Sequence, residues 1–150
     1  FQKGLKTNVV FVDLSSAYDT VWKVGLLHKL QKVIPCFKIT KLIYSMLSNR
    51  CITVFFNGTW SNPQTIKNGL PQGSVLAPLL FNLYTSDLPP TVAQKFIYAD
   101  DLALATQNKT FQEGEALLTN DLEALQTFYK NWRLIPNPAK SECCTFHLSN

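Results

Sequence analysis

The spacing of hydrophobic and polar positions changes several times along the chain, and each change marks an element. Asn8-Val9-Val10-Phe11-Val12-Asp13 is a continuous apolar, β-branched run closed by one carboxylate, which predicts a buried strand delivering an acid at its end. After Asp13 the period shifts from strand to helix near Thr20. Leu26, Leu27, Leu30, Val33 and Ile34 then recur at helical spacing until Pro35 ends the pattern. A second helix follows, with Phe37, Ile39, Leu42, Ile43, Met46 and Leu47 apolar and Lys38 and Lys41 interleaved. Cys51 to Phe56 reads as a strand closed by Asn57-Gly58, with Trp60 to Ile66 returning as its hairpin partner. These elements read as scaffold, and their lysines as a solvated face.

Asn68-Gly69-Leu70-Pro71-Gln72-Gly73-Ser74 is rich in helix breakers, and Val75 to Leu83 behind it is apolar nearly all round. The pattern predicts a helix buried on both sides, with Pro78 in its first turn, where the missing N–H costs little. Glycines at its entry let a backbone or a ligand come close, although an ordinary loop into a core helix has the same composition. From Thr110 to Trp132 runs the best amphipathic helix of the chain. Thr110 and Glu113 form a T-x-x-E capping box, and Phe111, Leu118, Leu122, Leu125, Phe128 and Trp132 keep the helical spacing. That face is expected to pack on a sheet. Pro136-Asn137-Pro138 stops the helix, and Lys140-Ser141-Glu142 leads into an edge-strand candidate, Cys143 to Leu148.

The chemistry concentrates at Tyr98-Ala99-Asp100-Asp101, two adjacent carboxylates at the apex of a hairpin whose flanks, Phe96-Ile97 and Leu102-Ala103-Leu104, predict burial. A tight turn normally carries Asn-Gly or Asp-Gly because it wants positive φ. A double Asp by itself is an ordinary solvated tip. Asp13, at the end of its own apolar strand, changes that reading, because it supplies a third acid of the same character. Two carboxylates about 4 Å apart repel by roughly 4 kcal/mol at an effective dielectric near 20, a repulsion that divalent cations turn into attraction. Hard oxygen ligands suit magnesium or manganese, and a two-metal site can hold both the attacking and the leaving oxygen of a phosphoryl displacement.

Composition narrows the class. With 150 residues, 46% of them hydrophobic, the chain buries a sizeable core and is most simply one domain or part of one. It starts at Phe1 and opens almost at once into the first strand, as an excerpt does. A net charge of +4 permits a polyanionic partner without requiring one. Cys36, Cys51, Cys143 and Cys144 show no C-x-x-C pairing, and His28 and His147 are not spaced as ligands with them, so neither a zinc site nor a disulfide framework is expected. No apolar run approaches the length of a membrane span, and no secretory signal is seen. Reduced thiols in an intracellular protein are the expectation.

Four segments in order closely resemble the palm motifs of reverse transcriptases: Phe11-Val12-Asp13-Leu14-Ser15-Ser16-Ala17-Tyr18-Asp19, Gly69 to Pro78, Tyr98 to Asp101, and Asn137 to Glu142. The resemblance spans essentially the whole chain and is nearest to non-LTR, LINE-type retrotransposons of the Jockey and related clades. It implies an α/β (α+β) right-hand polymerase palm, an antiparallel sheet packed against helices, with part of the fingers. The expected sheet uses strands around residues 8–13, 95–105 and 142–148, with helices from about 74–86 and 110–132 on one face. The activity implied is RNA-directed DNA polymerisation, adding deoxynucleotides to a primer 3′-OH with two magnesium ions, manganese being an alternative. RNA template, DNA primer and deoxynucleotides are the implied partners, in a ribonucleoprotein of cytoplasm and nucleus.

Residue by residue, the resemblance puts the metal-binding acids on Asp13 and Asp100, with Asp101 as the weaker or positioning member and the backbone carbonyl of Leu14 completing the shell. Ser16 and Ala17 would offer N–H groups to the triphosphate. Tyr18 falls where an aromatic stacks under the nucleotide sugar, and a flat ring against C2′ leaves no room for another oxygen. Gln72 contacts the incoming nucleotide, Gly73 and Tyr98 the template and primer, and Lys140 protonates the departing pyrophosphate. Asp19 has no place in the metal shell and reads as a structural hydrogen-bonding acid. The segment from residue 1 to 150 is then a catalytic fragment whose basic fingers, thumb and endonuclease are expected outside it, so that alone it should be inactive. Viral-type RNA-dependent RNA polymerases usually carry an acid five residues after the first metal aspartate, where this chain has Tyr18. A domesticated or inactive nucleic-acid-binding or interaction module derived from a reverse transcriptase is the alternative, against which intact Asp13, Asp100 and Asp101 argue.

Overall fold

The computed structural model describes residues 4–148. Its elements run β1 (Lys6–Val12), α1 (Ala17–Thr20), α2 (Lys23–Val33), α3 (Phe37–Leu47), β2 (Arg50–Ile52), β3 (Phe55–Phe56), β4 (Thr59–Trp60), β5 (Gln64–Ile66), α4 (Leu76–Tyr84), β6 (Gln94–Tyr98), β7 (Asp101–Asn108), α5 (Phe111–Asn131) and β8 (Glu142–Phe146). They gather into two compact units, one from the residues up to Ala17 together with those from Asp87 onward, the other Tyr18–Ser86.

The first unit is a four-stranded antiparallel sheet in the order β6-β7-β1-β8, so β8 is the edge strand its position predicts. β1 pairs with β7 over its whole length, from Lys6 opposite Asn108 to Val12 opposite Leu102. On its other side, Thr7 to Phe11 of β1 pair with Phe146 to Glu142. Because side chains alternate across a strand, Asn8 and Val12 share one face with Leu102, Leu104 and Thr106. All five are buried. α5 covers this face with Gly114, Leu118, Asp121, Leu125, Phe128 and Tyr129. Full burial of a leucine such as Leu104 or Leu125 contributes about 1.5–3 kcal/mol, which makes this layer the main support of the sheet.

Local devices fix α5 in place. The capping box forms as its sequence predicts, with Glu113 N–H donating to Thr110 Oγ1 at 3.2 Å and Thr110 N–H to Glu113 Oε2 at 3.4 Å. Gly114 lets the helix come close: a Cβ there would lie 2.7 Å from Asn8 Nδ2 and 3.0 Å from Thr106 Oγ1. Further along, the buried Asp121 carboxylate accepts from the backbone N–H groups of Val92 (3.0 Å) and Ala93 (2.7 Å), tying the start of β6 to the helix.

In the second unit α2 packs against both α3 and α4. The expected hairpin after α3 forms in two pieces, β2 with β5 and β3 with β4, closed by Asn57 (φ +48°) and Gly58 (φ +77°). Two expectations are corrected. α4 is buried on one side only, through Ala77, Leu80, Phe81 and Tyr84, while Val75 is 93% and Leu79 63% exposed. Among the lysines read as a solvated face, Lys29 is buried, its ammonium donating to the Tyr84 carbonyl at the end of α4. The ammonium complements a carbonyl at the helix C-terminus and lies 5.0 Å from the Tyr84 ring centroid, while the apolar stem fits the core.

Burial pushes the Tyr129 phenol up to about 12. Its folded value lies above the unfolded one, so the stability it contributes is full below pH 10 and is lost as pH rises toward 12. Tyr129→Phe should therefore resist alkali better than the parent across that window, with little difference at pH 7. Urea midpoints measured at pH 8 and pH 11 check this, and equal pH dependence of the two proteins would contradict it.

Candidate active site

The open face of the sheet, opposite α5, carries Asp13 and Asp101. Phe11, Phe96 and Tyr98 sit on it half to fully exposed, so the flanks of the 98–101 turn are less buried than their apolar character predicts. With Asp13, Asp101 and Lys140 they line a cavity of about 420 Å³. The register explains the gathering. β1 ends at Val12 opposite Leu102, and one further step along both strands sets Asp13 against Asp101.

The backbone around Asp13 is held from the loop after α5. Asn137 N–H donates to the Asp13 carbonyl at 2.9 Å, and Ser15 N–H to the Ile135 carbonyl at 2.8 Å. These two bonds flank a bridge between Leu14 and Pro136 and use neither carbonyl of that pair. Asp13 N–H donates to Ser141 Oγ at 3.2 Å, and that hydroxyl donates to the Asn137 carbonyl at 2.9 Å. Ser141 and Asn137 thus clamp Asp13, a role that sequence reasoning missed although both lie in the fourth motif; their i, i+4 spacing beside Pro138 was the available signal. The same turn carries Lys140, whose N–H donates to Asn137 O at 3.1 Å and whose side chain reaches the cavity.

The two acids of the turn differ in placement. Tyr98 pairs with Asp101, so the connection is a two-residue tip, Ala99-Asp100. Ala99 adopts φ +52°, the left-handed region that a tight turn requires and that glycine normally supplies. Asp101 lines the cavity, whereas Asp100, half-buried at the tip, is outside its lining.

In the second unit, Tyr18 stacks on the fully buried ring of Phe81, centroids 4.7 Å apart and planes 17° from parallel. Gln72 Nε2 donates to Asp19 Oδ1 at 2.9 Å, so Asp19 is the hydrogen-bonding acid its sequence suggests. Gly73 takes φ +83° with nothing within 4 Å of where a Cβ would stand. Before Tyr18, Ser16 is exposed at φ +47° and Ala17 opens α1.

A divalent cation can be tested against these residues. Asp13 Oδ2 is buried and has no hydrogen-bond partner among the described residues. A carboxylate oxygen withdrawn from water without a partner is costly, and a cation relieves the cost. The oxygen-only donors Asp13 and Asp101 suit a hard divalent ion. Among the described residues no three His, Cys, Asp or Glu side chains are grouped tightly enough to hold a metal ion by themselves. The site therefore fits a cation that takes part of its coordination from elsewhere, as magnesium does with one or two carboxylates and substrate phosphates.

A four-stranded antiparallel sheet backed by the long helix α5, with acids at a strand end and a hairpin tip, is the fold of a polymerase palm. The fold is shared with solved structures of telomerase from Candida tropicalis. The apo form truncated from its C-terminal domain aligns at TM-score 0.71 and 13% identity, covering 97% of this chain and 32% of that one. The telomerase in complex with a TWJ fragment of telomeric RNA aligns at TM-score 0.66 and 13% identity, covering 93% and 26%.

The family is narrower. The profile described as Reverse transcriptase (RNA-dependent DNA polymerase) matches residues 1–148, and the chain belongs to that family. It is 36% identical over 143 residues to a probable RNA-directed DNA polymerase from transposon BS of Drosophila melanogaster, covering 89% of this chain. It is 32% identical over 145 residues to the RNA-directed DNA polymerase from mobile element jockey of the same fly, covering 91%. The chain spans 16% of the length of each of these relatives. Among the described residues no helix is long and apolar enough to cross a membrane.

A left-handed alanine costs about 1–2 kcal/mol, partly offset by the greater unfolded-state freedom of glycine. Ala99→Gly should accordingly raise stability by about 0.5–1 kcal/mol. Thermal unfolding of the pair of proteins decides this, and a fall in midpoint would show that Ala99 is unstrained.

Proposed function

We propose that this chain is the catalytic palm, with part of the fingers, of an RNA-directed DNA polymerase that acts within a longer polypeptide. Its substrates are then an RNA template, a DNA primer and deoxynucleotides, and its cofactor two magnesium ions, replaceable by manganese. The observation that carries the reading is the partnerless, buried Asp13 Oδ2 in a cavity shared with Asp101 and Lys140. Bound magnesium neutralises phosphate charge and lowers the pKa of the attacking primer hydroxyl.

Asp13 and Asp100 hold the metal in this reading, with Asp101 positioning it and the Leu14 carbonyl completing the shell. Membership in the reverse transcriptase family supports Asp100, and the cavity lining supports Asp13 and Asp101. Backbone N–H groups of Ser16 and Ala17 receive the triphosphate. Tyr18, its ring braced by Phe81, lies against the sugar and leaves no space for a 2′-hydroxyl. Gln72 contacts the incoming nucleotide, Gly73 and Tyr98 the template and primer, and Lys140 Nζ gives a proton to the leaving pyrophosphate. In the cell the polypeptide works as a ribonucleoprotein of cytoplasm and nucleus, which fractionation of a tagged parent with its RNA tests.

Pre-steady-state single-nucleotide addition by the full-length parent tests the roles together. Asp13→Asn and Asp100→Asn should abolish extension with the fold intact, and activity within about tenfold of wild type would contradict the assignment. Lys140→Ala should lower the addition rate by about 10²-fold with primer–template affinity unchanged. If only affinity falls, Lys140 is a phosphate contact. Tyr18→Ala should raise ribonucleotide relative to deoxynucleotide incorporation by about ten- to a hundredfold, the equivalent of roughly 1.4–2.7 kcal/mol of lost exclusion. Unchanged sugar selection would make the ring core packing.

A further inference from the structure

We infer that Asp19 is a positioning residue: it fixes the amide of Gln72 with the carbonyl oxygen turned outward, so that this position accepts a hydrogen bond from the incoming nucleotide. The inference deepens the polymerase reading and rests on it.

The loop that carries Gln72 is secured without the Asp19 side chain. Gly69 N–H donates to the Val21 carbonyl and Leu70 N–H to the Tyr18 carbonyl, each at 2.8 Å. Gly69 takes φ +84°, and a Cβ there would lie 2.6 Å from the Asp19 carbonyl oxygen, so two backbones are in direct contact. Arg50 Nη2 donates to the carbonyls of Asn68 and Gly69 as well. Against these bonds, one side-chain hydrogen bond between the exposed Asp19 and Gln72 adds little to the loop's stability.

What the bond does decide is which end of the amide faces out. An ionised carboxylate accepts hydrogen bonds and has none to donate, so only Nε2 of Gln72 can face Asp19 Oδ1 at 2.9 Å. Oε1 is thereby turned away from Asp19, as an acceptor. Beside it Gly73, open to solvent where a side chain would stand, lets a ligand approach. A group meeting Oε1 must be a donor, which on a nucleotide means a sugar hydroxyl or a base amine or imide.

The chemistry separates orientation from mere attachment. Asn at position 19 still bonds Gln72, but through either end of its own amide, so the outward face becomes mixed. In the full-length parent, Asp19→Ala and Asp19→Asn should both lower kcat/KM for nucleotide addition, by about three- to tenfold for the alanine, the fold-change expected for one hydrogen bond. The loss should fall on KM for the nucleotide, with primer–template affinity and melting temperature unchanged. Asp19→Glu, again acceptor-only, should recover most of the loss. Repeating the comparison with a 2′,3′-dideoxynucleotide locates the donor: a vanished difference assigns it to the 3′-hydroxyl, a persisting one to the base. If Asp19→Asn matches wild type while Asp19→Ala loses both activity and melting temperature, the bond is structural and the inference is overturned. Wild-type kinetics in all three variants overturn it too, with the polymerase reading left standing. Absence of nucleotide addition by the wild-type parent overturns both.

Discussion

The meeting of Asp13 with Asp101 depends on the antiparallel pairing of β1 with β7. β1 is flanked by β7 and β8, so it cannot shift without breaking both ladders. Its alternation decides that Asn8 and Val12 face α5 and that Phe11 and Asp13 face the cavity. A slip by one residue would send Asp13 into the apolar layer and bring Val12 to the open face. The buried contacts of Leu102, Leu104, Leu118 and Leu125 therefore act as the register lock of the acidic site.

In the second unit the loop 68–73 is placed by backbone contacts as well as by the buried side chain of Leu70. The loop 68–73 lies against α1 by amide–carbonyl bonds and by the bare Cα of Gly69, where no other residue fits. Such a contact is short and stiff, and it leaves the side chains of Gln72 and Asp19 available for something other than holding the loop. Phe37 and Leu42 on α3 and Phe56 and Trp60 on the hairpin stay exposed.

Most of the architecture was legible from pattern. The β-branched run ending at Asp13, the Asn57-Gly58 turn, and the capping box of Thr110 and Glu113 each express a local rule, and local rules survive folding. The resemblance carried the order of motifs as well, and family membership bears out that reading. What the pattern hid was tertiary. Lys29 is indistinguishable from Lys32 until the end of α4 supplies a carbonyl for it. Val75 and Leu79 look as buried as Leu80 because an all-apolar helix carries no mark of which side is covered. Ser141 as the clamp on Asp13, and Gln72 as the partner of Asp19, depend on contacts across 128 and 53 residues of sequence, which no periodicity encodes.

The two-residue tip at Ala99-Asp100 has a genetic consequence. Strand pairing on both sides of it leaves no slack, and each neighbouring position is committed to one face of the sheet. An in-frame insertion or deletion of a single codon between Phe96 and Leu104 turns the side chains of one arm to the opposite face, so here a three-nucleotide lesion breaks the sheet's division into buried and open faces. The segment from Val54 to Pro63 is exposed throughout, so a codon gained or lost there turns no side chain into or out of a core. Length differences among homologous sequences should map onto that contrast, concentrated in the hairpin of the second unit and absent from the acidic tip.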